Sequence, residues 1–194
     1  MNKLFLVILT VMLAISAQAQ SSISRILEDT HLKFEGVPIC GPLNEFVDKI
    51  VSMGFEYGKS SDEGAVLTGD FAGYTDCYIA IATVDKEEVG SVTVLFPEGK
   101  NWSSLEKQYR RLKDMLTAEY GAPEKEIEVF QNGDPKDDYL RLQELRKNRC
   151  QYQTIYSSIE GMIVLILAND DIIGCHATIS YLDISYTLKR LQSR

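Results

Sequence analysis

Residues that carry chemistry are scarce in this chain. It has two histidines, His31 and His176, and four cysteines, none of them in a CxxC spacing. Tetrahedral zinc sites draw on closely spaced Cys and His pairs, so no metal is expected. The motifs HExxH and GxSxG are both missing, which removes the zinc-protease and nucleophile-elbow readings. Gly69, Gly73, Gly90 and Gly161 are scattered turn glycines without the spacing that cradles a phosphate. No cofactor is implied. No apolar run reaches the ~20 residues that cross a bilayer as a helix, and low-complexity segments are absent.

What is present begins with an export signal. Lys3 precedes an apolar run from Leu4 to Ala17, and Ala17-Gln18-Ala19 supplies the small-x-small pattern that signal peptidase accepts. Residues 1–19 therefore read as a cleavable signal peptide, leaving no membrane span in the product. The first cysteine is Cys40, far from the cleavage point, so a lipid anchor is not expected. The localisation that follows is periplasmic or extracellular. The chain carries a formal net charge of −8, and loss of Lys3 with the leader takes it to −9. An acidic surface repels phosphate backbones and anionic head groups. Nucleic acid is excluded as a partner on that ground, while a protein or glycan remains open, as does the oligomeric state.

Four cysteines bound for an oxidising compartment suggest disulfides. Pairing within each half of the chain gives Cys40–Cys77 and Cys150–Cys175. The alternative is that some are buried free thiols on strands.

Periodicity places the elements. Residues 20–36 form an N-terminal segment with a weak helical stretch around Ile23 to Leu27. Pro42 opens a helix in which Leu43, Phe46, Val47, Ile50 and Val51 recur at helical spacing, and Gly54 ends it. Three strand-like runs follow, Ala65–Phe71, Tyr74–Val84 and Val89–Phe96. The run Cys77–Val84 is apolar at nearly every position, as expected of a strand covered on both faces. Asn101 caps a second helix that ends at Gly121, with Leu105, Tyr109, Leu112, Leu116 and Tyr120 as its apolar stripe. A strand over 126–131 leads to a third helix over 135–148, with Tyr139, Leu142 and Leu145 inward. Three strands, 151–158, 162–168 and 175–186, close the chain.

Strands grouped in hairpins imply an antiparallel sheet with helices packed on one face, the α+β class. The order hints at a duplicated α-β-β-β unit within one globular domain at 37–194, with halves at 37–98 and 101–188.

Several stretches are familiar: Lys33-Phe34-Glu35-Gly36-Val37-Pro38, Leu67-Thr68-Gly69-Asp70-Phe71-Ala72-Gly73-Tyr74, and Val92-Thr93-Val94-Leu95-Phe96-Pro97 leading into Trp102-Ser103-Ser104-Leu105. With Glu119-Tyr120-Gly121-Ala122-Pro123, they make the chain resemble small exported proteins of gut Bacteroidetes. Those proteins have no assigned activity, so the resemblance implies a compartment and no mechanism. The duplicated layout also looks like the fold of secreted β-lactamase-inhibitor proteins, a likeness of topology alone.

Candidate chemistry is thin. Cys175 and His176 could form a thiolate pair, but adjacent strand residues point to opposite faces. Asp134, Asp137 and Asp138 read as helix capping and first-turn acids, and Asp170 with Asp171 as a hairpin turn. Tyrosines are the more suggestive feature. Tyr74, Tyr78, Tyr152, Tyr156, Tyr181 and Tyr186 fall on or beside strands, and tyrosine is enriched in binding surfaces. Tyr78, Tyr152 and Tyr156 are the candidate contacts of an open sheet face. The sequence thus favours a non-enzymatic binding or inhibitor-like module; the alternative is a small exported hydrolase with an unfamiliar site.

Overall fold

The turn Glu35-Gly36 has φ of 50° and 78°, the doubly positive geometry that closes a two-residue hairpin. It joins β1 (Lys33–Phe34) to β2 (Val37–Pro38), and Phe34 is thereby driven into the core. In this computed structural model residues 30–61, 63–84 and 88–186 are described. The leader, the stretch near Ile23 and the closing basic run lie outside them. A single compact unit runs from Leu32 onward. It includes β1, so the domain begins before residue 37.

Pro42 serves as N-cap of α1 (Leu43–Ser52), which buries Phe46, Val47 and Ile50. Gly54, at φ 106°, lets the chain reverse after it. Four strands follow: β3 (Glu56–Ser61), β4 (Gly64–Phe71), β5 (Tyr74–Val84) and β6 (Glu88–Leu95). Then come α2 (Trp102–Tyr120), β7 (Lys125–Phe130), α3 (Asp138–Arg146), β8 (Cys150–Ser157), β9 (Gly161–Asp170) and β10 (Gly174–Asp183). A helical turn at 184–186 follows β10.

The eight strands β3 to β10 form one antiparallel sheet in the order β3-β4-β5-β6-β10-β9-β8-β7. Each half is a four-strand meander, and β6 meets β10 at the centre, Thr93 opposite Ser180. The repeated unit is therefore a helix followed by four strands, with α3 inserted in the second copy. The additional strand of the first copy, β3, is exposed at all six positions. An edge strand with a single partner needs no apolar alternation, which is why periodicity passes over it.

All three helices pack on one face. Leu67, Ile79, Ile81, Val92, Val94, Leu165 and Ile179 point toward them and are buried. Asn101 caps α2 as expected, its side chain accepting from the Ser104 amide at 2.8 Å. The third helix starts at Asp138 rather than Pro135, because Asp137 takes the cap by accepting from the Leu140 amide at 2.9 Å. Asp134 instead pairs with Arg141, and Tyr139, expected inward, is 70% exposed. Asp183, wholly buried at the end of β10, accepts from the Leu32 amide at 3.0 Å and ties the hairpin to the sheet.

Candidate binding face

Strand side chains alternate, so the residues between the core positions line the opposite face of the sheet. No described helix packs there. The register aligns them in rows across the strands. One row runs Thr68, Tyr78, Leu95, Thr178, Ile166, Gln153 and Ile127 from β4 to β7. A second runs Val66, Ala80, Thr93, Ser180, Val164 and Ile155. The Thr93 and Ser180 hydroxyls bond each other at 3.1 Å at the centre. Charges lie at the borders: Glu56 and Lys59 on one edge strand, Lys125 on the other, Asp170 on β9, and Asp70 and Asp76 beside Thr68 and Tyr78.

The three candidate tyrosines do not share this face. Tyr78 lies on it and is 44% exposed. Tyr152 and Tyr156 point into the core beneath α2, at 8% and 2% exposure. The Tyr152 ring packs between Trp102 at 5.1 Å and Tyr109 at 5.5 Å. The Tyr156 hydroxyl donates to the Lys113 carbonyl at 3.0 Å and pairs with Thr117 Oγ1 at 2.9 Å. Burial pushes the Tyr152 and Tyr109 hydroxyls up to about 12. The sequence did hold a signal for this: Gln151 and Gln153 alternate with Tyr152 and Thr154, and glutamine marks the wetter side. Likewise the apolar run Cys77–Val84 is not doubly covered by helices. Ala80, Ala82 and Tyr78 belong to the open face.

The expected disulfides are not formed; all four cysteines are free thiols. Sheet geometry explains both pairs. Cys150 is on β8 and Cys175 on β10, with β9 between them, a whole strand apart, about 9–10 Å. A disulfide requires Cα atoms within about 7 Å. Cys40 is anchored at the far end of β5, where Gly41 accepts from the Val89 amide and Val89 faces Thr83. Cys77 is six residues further along that strand, about 20 Å. Burial raises the Cys77 thiol to about 11 and Cys150 to about 12, and also raises Cys40 and Cys175. Protonated, buried thiols are poor nucleophiles. Unreduced protein unfolded in guanidinium is expected to give four alkylatable thiols, while native protein reacts with a thiol reagent far more slowly. Fewer than four thiols by mass would contradict this geometry.

Cys175 and His176 are directed apart. The Cys175 thiol donates to Asn169 Oδ1 at 3.2 Å on the core side. His176, on the other face, bonds the Gly174 carbonyl through Nδ1 at 2.9 Å and lies 3.7 Å from Asp170. Asp170 Oδ1 accepts from the Ile172 and Ile173 amides, a turn role. Asp138 reaches Ser103, accepting from its amide at 3.0 Å, so it fastens α3 to the start of α2. Among the described residues no three His, Cys, Asp or Glu side chains are grouped to hold a metal ion. No described helix is long and apolar enough to cross a membrane.

The chain is an α+β protein with an eight-stranded antiparallel sheet. It matches no family model, no curated protein and no solved structure.

Proposed function

We propose that this protein is an exported, non-enzymatic binding module whose open sheet face docks a protein partner. One observation carries the reading: a face free of charge at its centre, on a chain with a net charge of −8. Interface cores are depleted of charged residues in this way, whereas ordinary exposed surface is not. Eight strands at ~4.8 Å spacing span about 34 Å. The two rows lie about 7 Å apart, so they form the core of a patch, with the neighbouring polar positions supplying the rim of an interface. It crosses many strands, a span that suits a protein better than a small molecule. Leu95, Ile127, Ile155, Val164 and Ile166 supply aliphatic contact and Tyr78 an exposed ring. Inhibitor-like blocking of another protein is one use of such a face.

The experiment compares wild type with Tyr78→Ser/Ile166→Asp as bait against envelope and culture fractions. Neither position is buried, so the variant is expected to fold, as circular dichroism would verify. The reading requires a protein retained by wild type and lost, by more than tenfold, with the variant. Equal retention by both, or none by either, overturns it.

A further inference from the structure

A cleft of about 250 Å³ lies on the helix side of the sheet, at the C-terminal end of α2. Its floor is aromatic. Phe71 and Tyr181 are buried there and Tyr120 is half-buried. Phe34 braces the floor, its ring centroid 5.4 Å from Phe71 and 5.7 Å from Tyr181. Two exposed carboxylates, Glu35 and Glu119, complete the lining. Neither forms an ion pair with a described residue.

The position of Glu119 is a second, separate observation. The last turn of α2 carries this acid and no base. A helix C-terminus is the negative end of the dipole and favours Lys, Arg or His. Glu119 is therefore set against the helix field, beside Glu35 from the hairpin. The negative potential is felt inside the cleft. Burial, followed by Tyr120, Glu119 and Glu35, keeps the Tyr181 hydroxyl protonated well above its ordinary range. Burial and then Glu119 do the same at Tyr120.

Neutral phenol rings attract a cation through their electron-rich faces. Carboxylates and a helix C-terminus add to that attraction, and all three repel an anion. We propose that this cleft binds a small organic cation, a quaternary or primary ammonium compound held against the half-buried Tyr120 ring, over a floor that includes the buried Tyr181, with Glu35 and Glu119 as counter-charges. A cleft of this volume admits a small ligand and not a polymer segment with bulky side chains. Lys33 also lines the cleft and opposes the ligand's charge. The site is on the other side of the sheet from the protein-docking face and does not depend on it.

Titration calorimetry with choline and with n-propylammonium tests the site, using 3,3-dimethylbutan-1-ol as the uncharged isostere of choline. Binding of at least one cation in the millimolar range is expected, with the isostere at least tenfold weaker. Tyr120→Leu and Glu119→Gln should each weaken the cation by roughly two- to fivefold. Lys33→Met should tighten it by about twofold. Glu119 is exposed, so Glu119→Gln remains a folded control if Tyr120→Leu destabilises the chain. No heat with either cation, equal binding of the isostere, or no change with Glu119→Gln overturns the proposal.

Discussion

Trp102→Ala is expected to lower the unfolding free energy by about 3–5 kcal/mol. Trp102 is the first residue of α2 and is wholly buried. Its ring lies 5.2 Å from Phe130 on β7 and 5.1 Å from Tyr152 on β8. Tyr152 in turn meets Tyr109 further along the same face of α2. The substitution leaves a cavity beside two rings, Phe130 and Tyr152, each held on its own strand. Each lost aromatic pair adds about 0.5–1.5 kcal/mol beyond the area term. Trp102 is the only tryptophan, so the urea midpoint is read by far-ultraviolet circular dichroism and not by fluorescence. A loss below ~1 kcal/mol, the size of an ordinary substitution, would mean the cluster is not a keystone of the second half.

Alkali is expected to unfold this protein earlier than its acidity alone would suggest. The thiols of Cys77 and Cys150 are raised from 9.0 to about 11 and about 12, with burial the first cause in each. The hydroxyls of Tyr109 and Tyr152 rise from 10.0 to about 12 for the same reason. Each group holds its proton more tightly folded than unfolded. The unfolded chain therefore releases protons first, and stability falls as pH rises. The contribution is complete below pH 9, is lost first through the thiols and then, above pH 10, through the phenols. At ~1.4 kcal/mol per unit of displacement, the loss by pH 11 is of order 5 kcal/mol. That is comparable with the whole stability of many domains. Urea unfolding with reductant at pH 8 and pH 11 would show it as a fall in midpoint. Cys77→Ala should flatten the part between pH 9 and 11. An unchanged midpoint at pH 11 would show that these groups are hydrated in the folded protein.

The periodic elements were legible because each carries its own pattern. α1 buries Phe46, Val47 and Ile50 of its stripe and leaves Val51 exposed. α2 buries Leu105, Tyr109, Leu112 and Leu116 with Tyr120 half-buried, and Asn101 caps α2 where the residue type says it should. β4 to β6 and β8 to β10 coincide with their strand-like runs to within a few residues. β3 was not legible, because an exposed edge strand is held by one ladder of backbone bonds and asks nothing of its side chains. The hairpin of β1 and β2 was missed for a related reason: two residues per strand are too few for a period.

The candidate site divides the same way. That Tyr78, Tyr152 and Tyr156 lie on strands follows from the sequence. Which of them faces the helices depends on parity relative to the core, and a shift of one residue exchanges the faces. Gln151 and Gln153 settle that parity for β8; in β5, apolar at nearly every position, nothing local settles it. The cysteines mislead for another reason. Their even number suggests pairing, yet pairing needs a distance, and distance across a sheet is set by strand order.

By itself, then, the sequence determined the α+β class, the antiparallel hairpins, most helix bounds and the acidic surface, because each rests on neighbours within a few residues. Only the tertiary structure decided that β6 pairs with β10, that β9 separates Cys150 from Cys175, and that the open face is aliphatic and uncharged at its centre. It alone brings Glu35 to the acidic end of α2. These are relations between residues far apart in the chain, fixed when burial of one common face brings the two meanders together.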